Sequence, residues 1–191
     1  LKNFIGANTT QQQQNQQMNQ QVHSNLEPTP EFKEFFLNPS LVTLLFKCYE
    51  LVRDDRDMSH AAIQPLVQLS TLTGPIFNED NDSLLLRVNF LTHFMQTFLN
   101  TFAKLQLKSY ESFNLACLVE NMMSQGNLKK LVCLPLNLVE TFFNFTCSFL
   151  VTCFKAESYY SSVASGGGDD DDAAADGSKY LESYEKILIA W

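Results

Sequence analysis

Met58–Phe77, MSHAAIQPLVQLSTLTGPIF, is the stretch from which the fold is read. Ala62, Ile63, Leu66, Val67, Leu69 and Leu72 fall near helical spacing, Ser59 after Asp57 offers an N-cap, and Gly74-Pro75 is a stop. The stretch reads as one short, one-sided helix. A helix with so narrow an apolar face does not stand alone in water, so it must lie against partners before and after it in the chain. Pro65 sits inside it and is expected to kink the helix or delay its start, because proline removes one backbone hydrogen bond.

The flanking sequence supplies those partners in pairs. Asn38-Pro39 is a cap followed by proline at the first helical position, and Leu41, Leu44, Leu45, Cys48 and Val52 follow at the spacing of one apolar face. Glu31–Leu37 is expected as a short amphipathic lead-in, and the charge cluster Arg53–Asp57 as a solvated turn. After a turn segment, Asn81 or Asp82 caps the strongest helical pattern in the chain, with Leu84, Val88, Leu91, Met95, Phe98 and Phe102 recurring at steps of three and four. Leu85, Phe90, Phe94 and Leu99 widen that stripe. His93 beside it reads as a structural histidine, with no acidic or cysteine partner placed to orient it as a ligand.

Ser109 is expected to cap a shorter helix from Tyr110 to Ser124, and Pro135 to open another with Leu138, Phe142, Phe145, Phe149 and Cys153 along one side. The 14 residues from Thr141 to Phe154 carry no charge. They are too few to span a bilayer and include Asn144, Thr146, Ser148 and Thr152, so a buried core helix is expected rather than membrane insertion. A Gly/Asp-rich segment near 158–177 is expected as a disordered loop before an amphipathic stretch from Ser178 to Trp191. At the other end, residues 1–25, with eight glutamines between Gln11 and Gln21, are expected to be disordered for want of apolar surface.

The helices therefore begin near Asn38, Asp82 and Pro135 as long-short pairs, at intervals of 44 and 53 residues. Two helices per interval in the forties is the period of HEAT-type solenoids, in which each pair buries its face against its neighbours. The expectation is an all-α fold: about three HEAT-like repeats over residues 26–191, a fragment of a longer superhelix. A closed helical bundle is the alternative, and the absence of a heptad seam counts against it.

Composition narrows the function. The net charge of -8 repels phosphate, so nucleic acid is not expected as a direct ligand. The five cysteines, Cys48, Cys117, Cys133, Cys147 and Cys153, include no Cys-x-x-Cys pair and suit a reducing compartment. No nucleophile-base pair, phosphate-cradling glycine loop or metal spacing is present in the sequence, so neither an enzyme nor a cofactor is expected. Asp169, Asp170, Asp171 and Asp172 form an acidic run that reads first as a solvated insertion and second as a field that steers a basic partner.

The order of several segments resembles the exportin 4 branch of the importin-β superfamily: LEPTPEFKE at Leu26–Glu34, QPLVQLSTLTGPIF at Gln64–Phe77, FLTHF at Phe90–Phe94, FTCSF at Phe145–Phe149 and YLESYEKILIAW at Tyr180–Trp191. Together they cover most of residues 26–191, and their joint order is the specific signal. The departures are the Gln-rich segment, Pro65, a shorter connection before Phe142 and the Gly/Asp insertion near residue 169. The resemblance implies a nuclear transport receptor that binds the small GTPase Ran in its GTP form together with protein cargo, such as hypusine-bearing translation initiation factor 5A. It also implies contact with nuclear pore proteins and shuttling between nucleus and cytoplasm. A HEAT-type interaction scaffold unrelated to transport is the rival expectation, because fold does not fix function.

Overall fold

The computed structural model describes residues 26–77, 83–123 and 133–164. Among them every regular element is helical. A 3-10 turn at Pro30–Phe32 leads into α1 (Lys33–Phe36), followed by α2 (Pro39–Val52) and α3 (Arg56–Ser70). A second 3-10 turn, Pro75–Phe77, comes before α4 (Ser83–Phe102), and a third, Ser109–Glu111, before α5 (Ser112–Met123) and α6 (Leu136–Ala164). Helices α2, α4 and α6 start 44 and 53 residues apart, the intervals expected from the sequence, but α2 with 14 residues is no longer than α3 with 15, so the first pair is not long-short.

Packing arranges these helices in two rows. The α2–α3 turn folds α3 back onto α2; α2 packs on α4 and α4 on α6, while α3 packs on α5. Within a row the helices run parallel: Pro39 and Thr43 at the start of α2 meet His93, and Tyr49 near its end meets Phe102. In the second row His60 and Gln64 meet Asn114, and Val67 and Ser70 meet Asn121 farther along. The ties within the rows join residues 50 to 54 apart in sequence, so α2 meets α4 and α3 meets α5 across the same span.

Within the row α2, α4, α6 the core is built on aromatic rings. Phe46 of α2 lies edge-on to Phe94 and Phe102, and Tyr49 is tilted against Phe102. Phe98 continues the series to Phe142 and Phe145 of α6, with ring centroids 6.0 and 5.2 Å away. Each such pair adds about 0.5–1.5 kcal/mol beyond the area it buries. This gain decides which face of α2 turns inward. Val42, Phe46 and Tyr49 are buried, whereas Leu41, Leu45 and Val52 of the expected face are half-buried and Leu44 and Cys48 are exposed. The helix carries two apolar stripes, and the one with the larger rings faces α4.

Helix α3 buries Ile63, Leu66, Val67 and Leu69, with Leu72 just beyond its end, as the spacing requires; Ala62 is half-buried. Its cap is Asp55 rather than Ser59. The Asp55 carboxylate accepts the Met58 N–H at 3.0 Å, and Ser59 is buried inside the first turns. Pro65 neither delays the start nor divides the helix, which runs unbroken from Arg56 to Ser70. Pro65 and Ala61 are both exposed, so the carbonyl that loses its N–H partner to the proline ring is on the solvent side. Asn38 caps α2 as expected, accepting the Ser40 N–H at 2.9 Å.

The chain entering the fold is clamped to the end of α3. Leu26 donates its N–H to Thr71 Oγ1 and accepts from the Thr73 N–H. Gly74 has φ of 88°, and a Cβ added there would lie 3.2 Å from Glu27 Cβ, so both its conformation and its surroundings call for glycine.

Three further expectations are modified. In α4, Leu91, Phe94, Met95, Phe98, Leu99 and Phe102 are buried and Val88 is half-buried, but Leu84 and Leu85 of the first turn stand in solvent. The helix expected from Tyr110 begins at Ser112, after the 3-10 turn. Helix α6 is one-sided rather than a buried core helix: Leu138, Phe142, Thr146 and Phe149 are buried, while Phe143, Asn144, Cys147, Ser148 and Val151 are exposed. Backbone helix continues to Ala164, past Ser158 where the loop was expected. The Gln-rich segment 1–25 and the stretch from Ser178 to Trp191 lie outside the described residues. Among those residues no single helix is long and apolar enough to cross a membrane.

Candidate functional site

The scaffold carries a buried polar node, an apolar groove and an exposed apolar stripe. The node forms where α2 ends. Arg53, expected in a solvated turn, instead turns inward and donates from Nε to Glu111 Oε1 at 2.9 Å and from its terminal nitrogen to Oε2 at 2.6 Å. The Tyr49 hydroxyl donates to Oε1, and the Lys108 backbone N–H to Oε2 at 2.9 Å. Four donors thus saturate a carboxylate that is only 1% exposed. Arg53 also donates to the Gln106 carbonyl, and the Tyr110 hydroxyl to the Arg53 carbonyl.

Burial alone would push the Glu111 carboxyl up. The hydrogen bonds from Arg53, Tyr49 and the Lys108 amide outweigh it and hold the group below the ordinary glutamate range. The Tyr49 phenol is pushed up, first by burial and then by its bond to Glu111. Arg53 is raised, chiefly by its bond to Glu111. The node's chemistry is therefore fixed charge with no free lone pair aimed outward. It pins the end of α2 to the turn that begins α5. Beside it, Lys108 reaches Asp54 at 2.5 Å on the open surface, where such a pair adds little stability.

The polar groups between α3 and α5 are matched in a similar way. Asn114 bonds both Gln64 and His60, and Asn121 bonds the Val67 carbonyl and Ser70. Among the described residues no buried side-chain nitrogen or oxygen lacks a partner, and no cluster of His, Cys, Asp and Glu could hold a metal ion. His93 rests with Nε2 3.0 Å from the Pro39 carbonyl and 3.2 Å from Thr43 Oγ1, tying α4 to the start of α2.

The groove runs between the end of α4 with its following loop and the middle of α6, an open trough of about 400 Å³. Leu99, Phe102, Leu105 and Leu107 form one wall; Phe145 and Phe149 face them, with Asn144 and Ser148 at the rim. No residue lining it carries a charge. The exposed stripe lies on α2, where Leu44 is 57% and Leu51 84% exposed with Cys48 between them. Phe32 and Phe35 of the lead-in are exposed as well.

The acidic run Asp169, Asp170, Asp171 and Asp172 lies outside the described residues, so the structure does not place it against any of these features. Sequence reasoning missed the node because its partners are 58 residues apart. The available signal was Tyr49 and Arg53 continuing the Val42–Phe46 stripe at helical spacing, a polar end to an apolar face. No family model matches the chain.

Proposed function

We propose that this chain is a run of HEAT-type repeats from a nuclear transport receptor resembling the exportin 4 branch. In this reading it belongs to a longer superhelix that binds Ran in its GTP form together with protein cargo, and shuttles between nucleus and cytoplasm past nuclear pore proteins. The observation that carries the reading is the two-row arrangement with ties 50 to 54 residues apart, which fits the period read from the sequence. The receptor performs no bond chemistry of its own; the nucleotide state of Ran gives direction. Its contacts are protein surfaces, for which stacked helix pairs offer an extended face.

A pulldown from the purified parent protein with Ran loaded with GTP or GDP tests this. Retention of the GTP form alone is expected. Equal retention of both forms, or of neither, would instead favour a HEAT-type scaffold unrelated to transport.

The acidic run has a separate expected effect. On the second of its two readings, behind that of a solvated insertion, Asp169–Asp172 set up a field that raises the encounter rate with a basic partner and fades within a Debye length of roughly 8 Å at physiological salt. Replacing the four aspartates with serine should slow association at low salt and leave it unchanged at high salt. Identical low-salt rates in stopped-flow measurements would show that the run is only a solvated insertion.

A further inference from the structure

We propose that Thr29 is a phosphorylation site for a kinase that reads threonine followed by proline, and that the phosphate unfastens the entering segment from the end of α3. The chain has six prolines, and only Pro30 follows a serine or threonine. A kinase whose pocket offers no acceptor to the residue after the reacting hydroxyl favours proline there, the one residue without an N–H. Thr29 stands in solvent with φ of -70° and ψ of 158°, the extended backbone that such a pocket takes. The turn behind it, Pro30–Phe32, lies against Pro75–Phe77 but buries none of its residues, so it opens locally without disturbing the core. In the reaction Thr29 Oγ1 attacks the terminal phosphorus of a nucleoside triphosphate. The bond to the nucleoside diphosphate breaks, and the hydroxyl proton passes to the base of the kinase.

The effect of the phosphate follows from what surrounds the hydroxyl. In the unmodified chain Thr29 donates to the Glu31 carboxylate. Phosphorylation removes that proton, adds about 1.5–2 negative charges and leaves only acceptors facing Glu31. Between Leu26 and Leu37 three exposed glutamates, Glu27, Glu31 and Glu34, stand against the single cation Lys33, so the added charge meets mostly its own sign. Glu27 is where this repulsion tells. Its carboxylate accepts from Thr73 Oγ1 at 3.5 Å, its Cβ lies close beside Gly74, and Leu26 next to it bonds both Thr71 and Thr73. The segment is thus fastened at the residues nearest the new charge, and none of residues 26–32 is buried, so release costs the core nothing.

The test incubates the 191-residue chain and a peptide of residues 26–37 with a purified mitogen-activated protein kinase and ATP, and maps the products by mass spectrometry. Phosphate is expected on Thr29 of both, and on neither the Thr29→Val nor the Pro30→Ala chain. Phosphate on the peptide but not on the chain, or on neither, would overturn the site. In the phosphorylated chain the Thr73 amide, held by the Leu26 carbonyl at 2.9 Å, should exchange its hydrogen about three- to tenfold faster, the size of one or two exposed charge repulsions, with the gain shrinking at high salt. The Leu66 amide in the middle of α3 should not change. Unchanged exchange at Thr73 would overturn the release and show the phosphate accommodated in place. Equal acceleration at Leu66 would overturn it too, because it would mark general unfolding.

Discussion

Arg53→Ala is expected to lower the unfolding free energy by about 3–5 kcal/mol, because it leaves Glu111 buried without its counter-ion. Taking both partners away together should be milder. Arg53→Met with Glu111→Leu replaces the pair by apolar volume, a type of exchange that is often neutral or stabilising. Urea unfolding followed by circular dichroism measures both. A double variant as unstable as Arg53→Ala would show that the node contributes through the charge pair itself and not merely by avoiding an orphaned carboxylate.

The same node sets an acid limb. Glu111 in the fold titrates below its unfolded value, about 4.3 for an unperturbed glutamate, so its contribution is complete above that pH and is lost as pH falls through the lower folded value. Glu111→Gln should flatten the fall in stability below about pH 4.3 and leave the slope at neutral pH unchanged. An unchanged acid limb in the variant would place the acid-sensitive groups elsewhere.

Phe98→Ala is the second large expectation, at about 3–5 kcal/mol. Phe98 is fully buried and touches Phe102 on its own helix and both Phe142 and Phe145 on α6, so its loss opens a cavity where two pairs of the stack meet. The damage should be local. Hydrogen exchange of amides between Leu138 and Phe149 should accelerate far more than exchange in α2, because α6 leans on α4 through this ring. Uniform acceleration across all helices would mean that the stack unfolds as one unit. Phe98→Leu should cost less, since most of the volume remains.

How far the sequence could be read follows from how one-sided each helix is. Helix α3 has one apolar face, and its core positions from Ile63 to Leu72 follow directly from the period. Helix α2 has two, and periodicity does not rank them. The ring contacts from Phe46 to Phe94 and Phe102 do, and they become visible only once α4 is in place. The Asp55 cap was likewise hidden: Asp55 and Ser59 both suit the role, and burial of Ser59 in the first turns settles it. For the candidate surfaces, Leu44 and Cys48 belong to the apolar spacing that the sequence offers to the core, while Leu51 lies outside it, and only the packing of α2 on α4 shows all three in solvent. The groove was not legible, because its walls come from Leu99–Leu107 and Thr141–Thr152, more than thirty residues apart.

The spacing of the ties has a consequence for how quickly such a molecule assembles. Each tie closes a stretch of 50 to 54 residues, so the two rows are joined by closures of the same span. The entropy of closing a loop that size is roughly 3.5 kcal/mol from its length dependence, and it is incurred one neighbour at a time. A globule that doubled its length would have to bring together ever more distant parts of its chain. Here the search stays short: docking α3 on α5 and α2 on α4 asks for closures of one and the same span, and completing either brings the other within reach.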